Sequence, residues 1–426
     1  MIDAMLSRPK AMIVAVSVAL LLFTGATLNK FPPGGGMPYS YNKYALEHII
    51  PVWIKDGYLS HGGLYYVEKD EKRTEHPGAY HYRGTSIELL IPYILEKINF
   101  EAKGELSYKV MVRYNQLVVL LSSIMLGFVA LRMASGMYPQ RAGSLLAAVS
   151  CVLVFQTFPF TLSYYWGATP QLHFTVPLFA SFLIIDSILR TDRPSRSQTI
   201  GLLACSLLLF LSEFIAAFFF LSTLIFLVAA SDNHRARAGY LLAVSIAAGF
   251  AFIAWKAIQM GLAHYNFPDV GLFGSNLLFR TGLDGNRTDV LDHYDLFIHR
   301  HLARMYPGRV EASFSNWPAL FAGGAVSFIF VLYTLRRKIP DAVIVLTAML
   351  SCYVLYAFIF LNAVAIHSDL YDILLFAPEV LVVFCLVPAL ILRKTENGFF
   401  SAIFLLGSVC YAMVQLRSYA LFLSVG

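Results

Sequence analysis

The sequence predicts an all-α integral membrane protein of about eleven transmembrane helices, N-terminus cytoplasmic, with two large outer loops forming a small helical exterior layer. Three observations predict it. Of 426 residues, 58% are hydrophobic and 14% charged, with a mean hydropathy of +0.64, whereas a soluble domain carries roughly 25% charged residues. Apolar runs near the ~20 residues a helix needs to cross a bilayer recur along the chain. The basic residues of the short connectors fall on one side once those runs are threaded. The 34 Phe and 24 Tyr suit rings packed in lipid and at the headgroup boundary. The +6 formal charge is dealt out in twos and threes between apolar runs. That is a topology signal, not a nucleic-acid signal.

The first run, 11–28, follows Arg8 and Lys10 and meets no small-residue cleavage site before Asn29-Lys30. It reads as a retained span and not as a signal peptide. Further runs fall at 115–132, 143–160, 171–189, 238–258, 317–335, 342–364, 371–392 and 399–423. The run 199–230 is too long for one ordinary span and is interrupted at Ser212-Glu213. Two short helices joined there complete the count. The connectors carry Arg132 and Arg141, then Arg190, Arg193 and Arg196, then Arg235 and Arg237, then Arg336, Arg337 and Lys338, then Arg393 and Lys394. With Arg8 and Lys10 they share one face only if 199–230 is a hairpin, which puts the C-terminus outside. Cys151, Cys205, Cys352, Cys385 and Cys410 all sit in apolar runs without metal-ligand spacing. They read as small buried hydrophobes.

The chain reads as one membrane domain, 1–426, with a first outer loop at 29–114 and a second at 259–316. Loops this long are uncommon without function. In the first, 44–54 reads as an amphipathic interfacial helix containing Glu47. Asp56-Gly57-Tyr58 and Gly62-Gly63 follow, then a charged tip at 68–75. The segment 76–86 sets His81 and Arg83 among aromatics and turn residues, and 87–98 reads as a second interfacial helix. In the second loop, Asp292, Asp295 and His299 share one face if 289–301 is helical. That face is either a weak metal motif or an ordinary helix whose charges suit its dipole. Asn286-Arg287-Thr288 is a formal glycosylation sequon, relevant only in a eukaryotic secretory membrane.

A first span, an interfacial helix, a Gly-rich turn, an aromatic-Pro-Gly segment and a second interfacial helix, in that order, resemble the GT-C glycosyltransferases. So does Ile366-His367-Ser368-Asp369-Leu370-Tyr371 running on to Pro378. Phe158-Pro159-Phe160 to Pro170-Gln171-Leu172-His173 stands where that family has its second outer loop. Two features depart from the pattern. A lone Glu47 replaces an acidic pair after the first span, and Gln171 and His173 stand in place of an acidic signature. The resemblance implies inverting transfer of a sugar from a polyprenyl-phosphate donor to an envelope glycan, lipid or protein. It would take place on the outer face of a bacterial cytoplasmic (inner) membrane.

Such transfer needs a carboxylate to deprotonate the acceptor hydroxyl, cations on the phosphate leaving group and a groove for the polyprenyl chain. Glu47 is the first candidate base and Asp56 the second, although Glu47 also reads as an exposed residue of an interfacial helix. Arg83, Arg113 and Arg417 are the candidate phosphate cations. Arg417 lies inside the last apolar run, where it either faces a cavity or snorkels to the headgroups. His81, His173 and His367 are the candidate sugar-site residues. Asp369, Asp372 and Glu379 extend His367 into a polar stripe entering the bundle. Under a rival reading the chain is a transporter or lipid-linked-glycan flippase, with Glu379, Asp372 and Arg417 as its translocation charges. A polysaccharide polymerase is a third reading. No cofactor motif is present, and a divalent metal is the one alternative. The expected partners are the donor, the acceptor and membrane lipids, with no nucleic acid.

Overall fold

The computed structural model describes residues 8–28, 45–67, 79–81, 87–136, 141–158, 161–162, 170–191, 193–212, 215–230, 232–266, 271–272, 345–349, 352, 377–378, 380–386, 388 and 398–425. Helices dominate them. Four are long and apolar enough to cross a membrane: Pro9–Thr27, Lys109–Ser135, Leu172–Leu189 and Arg237–Asn266. Shorter apolar helices cover Ala142–Thr157, Arg196–Ser212, Ile215–Val228 and Ile403–Arg417.

In chain order the helices are α1 (Pro9–Leu28), α2 (Ile50–Asp56, entered through a π-turn at Ala45–Ile49), α3 (Ile87–Lys103), α4 (Tyr108–Ser135) and α5 (Arg141–Thr157). They continue as α6 (Pro170–Leu189), α7 (Arg196–Ser212), α8 (Ile215–Ala230), α9 (Asp232–Asn266) and α10 (Gly398–Val425). α1 and α6 begin on proline, which has no amide to leave unbonded in a first turn. The long apolar run divides where its polar interruption predicts: α7 stops at Ser212 and α8 starts at Ile215. α9 spans 35 residues, about 52 Å at 1.5 Å per residue. It continues through 259–266, which the sequence reading places in the second outer loop. Nothing there breaks a helix until Pro268, just beyond its end. The runs expected at 317–335, 342–364 and 371–392 lie wholly or largely outside the described residues, as does the helix expected at 289–301.

Inside apolar surroundings a hydroxyl must find its partner within its own helix or a neighbour. Ser17 donates to the Ile13 carbonyl at 2.8 Å, Ser123 to Val119 at 2.8 Å and Ser206 to Leu202 at 2.7 Å. α4 packs on α5 and α6, α1 lies against α4 and α5, and α10 covers α5. α1, α4 and α5 meet at Gly127, where a Cβ would stand 2.6 Å from Ile13 and 2.7 Å from Val152. A missing side chain is what allows that approach. Phe155, Phe158, Phe174, Phe179, Phe182 and Phe219 are fully buried, and Phe155 meets Phe179 edge-on with centroids 6.5 Å apart. On the outside, Leu22 and Phe250 are about two-thirds exposed on helices of spanning length. Such a surface suits lipid better than water.

A loop layer caps the start of α4. Ala45, Ile49, Ile50, Trp53, Leu89, Tyr93 and Met111 form its own apolar core. Trp53 stands edge-on to Tyr58 and Tyr93 at 4.9 and 5.8 Å, and its indole N–H donates to the Leu64 carbonyl at 3.3 Å. The helix expected at 44–54 therefore buries its apolar side in protein. A small sheet adds to the helical fold: β1 (Tyr65–Val67), β2 (Ala79–His81) and β3 (Gly271–Leu272). β1 and β2 are antiparallel with Tyr65 opposite His81. β2 and β3 are parallel with Ala79 opposite Gly271, which joins the first loop to the second. Strands of two or three residues carry no readable periodicity, so the sequence does not announce this link.

Candidate active site

Asp56 ends α2, and Gly57 follows with φ +92°, a conformation that favours glycine. The chain reverses through a 3-10 turn at Tyr58–His61 and brings His61 back to Asp56. His61 Nε2 lies 3.1 Å from Asp56 Oδ2. Gly62 and Gly63, at φ +60° and +67°, close the turn. A Cβ on Gly62 would overlap the Gln259 carbonyl, so this turn rests directly on the backbone of α9. Asn266, the last residue of α9, donates to the Ser60 carbonyl at 3.0 Å and ties the turn down again. The His61 side chain is 3% exposed and that of Asp56 is 34% exposed. The imidazole thus fixes one carboxylate oxygen, while Oδ1 has no partner among the described residues and faces partly open surroundings.

Asp56 is one of the two carboxylates the sequence singles out. His61 was not among its candidates, although Gly57 directly follows Asp56 and Gly62 and Gly63 directly follow His61, a pattern that could have flagged a turn built to hold them. Glu47 lies in the same layer, exposed on the π-turn. Arg113 is exposed on α4 and donates to Gln116 Oε1 at 3.3 Å. His173, on α6, stacks on Tyr114 with centroids 5.3 Å apart, and its Nε2 lies 2.8 Å from the Tyr114 hydroxyl. Arg417 is exposed on α10, which packs on α5. The backbone of His81 lies in β2. Arg83, His367, Asp369, Asp372 and Glu379 lie outside the described residues, as do Asp292, Asp295, His299 and the sequon.

The pairing of Tyr114 with His173 joins residues far apart in sequence, and no local pattern could announce it. Pro177 removes the amide that would otherwise bond the His173 carbonyl in α6. Next to Tyr114 in the chain, Asn115 is fully buried, and neither of its amide atoms has a partner among the described residues. Gln259, under the Asp56–His61 turn, is in the same state. Leaving such a group unpaired costs about 1–3 kcal/mol, so water or a ligand is the usual completion. Glu96 on α3 is also buried. Its Oε2 accepts the Ser107 amide at 2.8 Å, yet burial pushes its carboxyl above the ordinary 4.5. Among the described residues, no group of three or more His, Cys, Asp or Glu is arranged to hold a metal ion.

No protein-family model matches the chain, and a search of curated proteins finds no match.

Proposed function

We propose that the chain is an inverting glycosyltransferase of a bacterial cytoplasmic membrane, working on the side that carries the loop layer. The donor is a polyprenyl-phosphate-linked sugar, and the acceptor is an envelope glycan, lipid or protein. The observation that carries this reading is the Asp56–His61 pair. It is a half-open carboxylate with one oxygen held by a buried imidazole, seated in an ordered layer on helices long and apolar enough to span. Exposure assigns the roles. Asp56 can reach an acceptor hydroxyl and acts as the base, whereas the enclosed His61 positions it. The hydroxyl proton passes to Asp56. The acceptor oxygen attacks the sugar C1 from the face opposite the phosphate, and the C1–O bond breaks with its electron pair leaving on the polyprenyl phosphate. Arg113 is the described cation nearest in sequence to the Tyr114–His173 pair and serves the phosphate in this reading.

The test is transfer from a labelled polyprenyl-phosphate sugar by purified full-length protein, with thermal unfolding as the control for folding. Asp56→Asn lowers turnover by about 10²–10⁴-fold, and His61→Gln lowers it less. Full turnover in Asp56→Asn together with loss in Glu47→Gln moves the base to Glu47. Uptake or flipping of a lipid-linked glycan that survives both changes and fails in Glu379→Gln replaces the enzyme with a transporter.

A further inference from the structure

At the end of the bundle away from the loop layer, Arg132 of α4, Arg190 just past α6 and Arg237 of α9 converge on the last turn of α6. Arg132 Nε, from α4, lies 2.7 Å from Asp186 Oδ2. Arg190 reaches back to Asp186 Oδ1 through Nε at 3.2 Å and a terminal nitrogen at 2.8 Å. Arg237, from α9, donates to the Leu189 carbonyl. Asp186 is 1% exposed and both its oxygens are taken, so it neutralises one of the three guanidiniums and has no further capacity. The negative end of the α6 dipole offsets part of the remainder. Each guanidinium carries five N–H donors. The described contacts use only some of them, and Arg132 and Arg190 keep 40% and 39% of their side chains exposed.

The location of these cations decides their partner. Arg132 lies in the last turn of α4, Arg190 directly follows α6, and Arg237 lies in the second turn of α9. Terminal turns of three helices of spanning length therefore lie together, the part of a spanning helix that meets lipid headgroups. Ile200 and Leu203 on α7 and Leu242 on α9 lie a few residues along from these ends and are exposed apolar side chains. Chemistry and place thus coincide: spare guanidinium donors beside a surface suited to acyl chains.

We infer that Arg132, Arg190 and Arg237 form a binding site for the phosphate of an anionic phospholipid headgroup, seated against the last turn of α6. The site is separate from the loop layer and does not depend on glycosyl transfer. Asp186 orients Arg132 and Arg190 and tempers the site's positive charge.

The experiment measures lipid binding to the purified full-length protein in neutral detergent. Phosphatidylglycerol, phosphatidylcholine and inorganic phosphate are titrated separately, and bound lipid is read by native mass spectrometry and by the shift in unfolding temperature. Phosphatidylglycerol is expected to bind and stabilise, and phosphatidylcholine is not. Arg190→Gln and Arg237→Gln each weaken phosphatidylglycerol binding by about fivefold. Asp186→Asn keeps the side chain's size but removes the negative charge and turns one of its two acceptors into a donor, which frees one guanidinium, and it tightens phosphatidylglycerol binding. A purely structural staple predicts instead that Asp186→Asn lowers the unfolding temperature and leaves lipid selectivity unchanged. Equal binding of the two lipids, or an Asp186→Asn variant that loses phosphatidylglycerol, overturns the site. Inorganic phosphate that displaces phosphatidylglycerol at equal concentration overturns the lipid as its occupant. If an arginine variant fails to fold, the sign of the Asp186→Asn effect still decides.

Discussion

Asp56 in the loop layer and Asp186 at the opposite end of the bundle each face a cationic or protonatable partner, yet they are built for different ends. Asp186 is enclosed and both oxygens are committed to guanidiniums. Asp56 is a third exposed and has one oxygen held by His61 and the other without a partner among the described residues. A carboxylate whose two oxygens are both taken by guanidiniums ties helices together and has no acceptor left to offer. One with a single neutral-or-charged partner and an open oxygen can accept a proton from something that arrives. Proximity of charges alone does not separate a staple from a reactive group. The remaining hydrogen-bonding capacity does.

Paired substitutions break this comparison most sharply. Asp56→Asn is expected to remove transfer with little change in unfolding temperature, while Asp186→Ala leaves transfer per folded molecule intact and destabilises the protein. Because its two arginines can turn toward solvent, the loss for Asp186→Ala is about 1–3 kcal/mol, below that of a fully buried pair. Equal effects of the two changes on both readouts would erase the distinction. Gly62→Ala comes next. The new Cβ meets the Gln259 carbonyl at a positive φ, which costs about 1–3 kcal/mol of strain. That strain should loosen the loop layer from α9 first. Hydrogen exchange in 45–67 is expected to rise while α4 and α6 stay protected, and a uniform rise across the chain counts against an independently docked layer.

The smallest effect concerns Glu96. Its carboxyl is raised above 4.5, first by burial, against hydrogen bonds from Ser107 and Asn99 that lower it. A group with a raised folded pKa binds more protons folded than unfolded. Its contribution to stability is therefore largest below the unfolded value and declines as pH rises through the raised one. Glu96→Gln keeps an acceptor for the Ser107 amide and removes the buried charge. The variant should lose that part of the pH dependence, measured as unfolding temperature against pH, and match or exceed the parent near neutrality. A steeper decline in the variant would show that the charge is compensated by something else.

Apolar length and polar interruption were enough to locate α1, α4 to α8 and α10. That the run 199–230 holds two helices, α7 and α8, was legible because a spanning helix has a length limit. The far end of α9 was misread, since Gln259 to Asn266 is polar enough to resemble a loop yet contains no helix breaker. Glu47 and Asp56 were legible as acids in a loop. That Asp56 meets His61 depends on the turn at Gly57 and Gly62, whose positive φ angles the sequence only hints at through glycine. The contacts between His173 and Tyr114, and between Arg132 and Asp186, link positions more than fifty residues apart.

By itself the sequence determined where most of the long apolar helices lie and which basic residues stand near their ends. Those depend on local quantities: hydropathy summed over a window, and charge at its margins. Only the tertiary structure decided which polar groups meet. Helix rotation and loop closure set the partners of Asp56 and Asp186 and leave the Asn115 and Gln259 amides buried without partners among the described residues, and neither is encoded in any short stretch of chain.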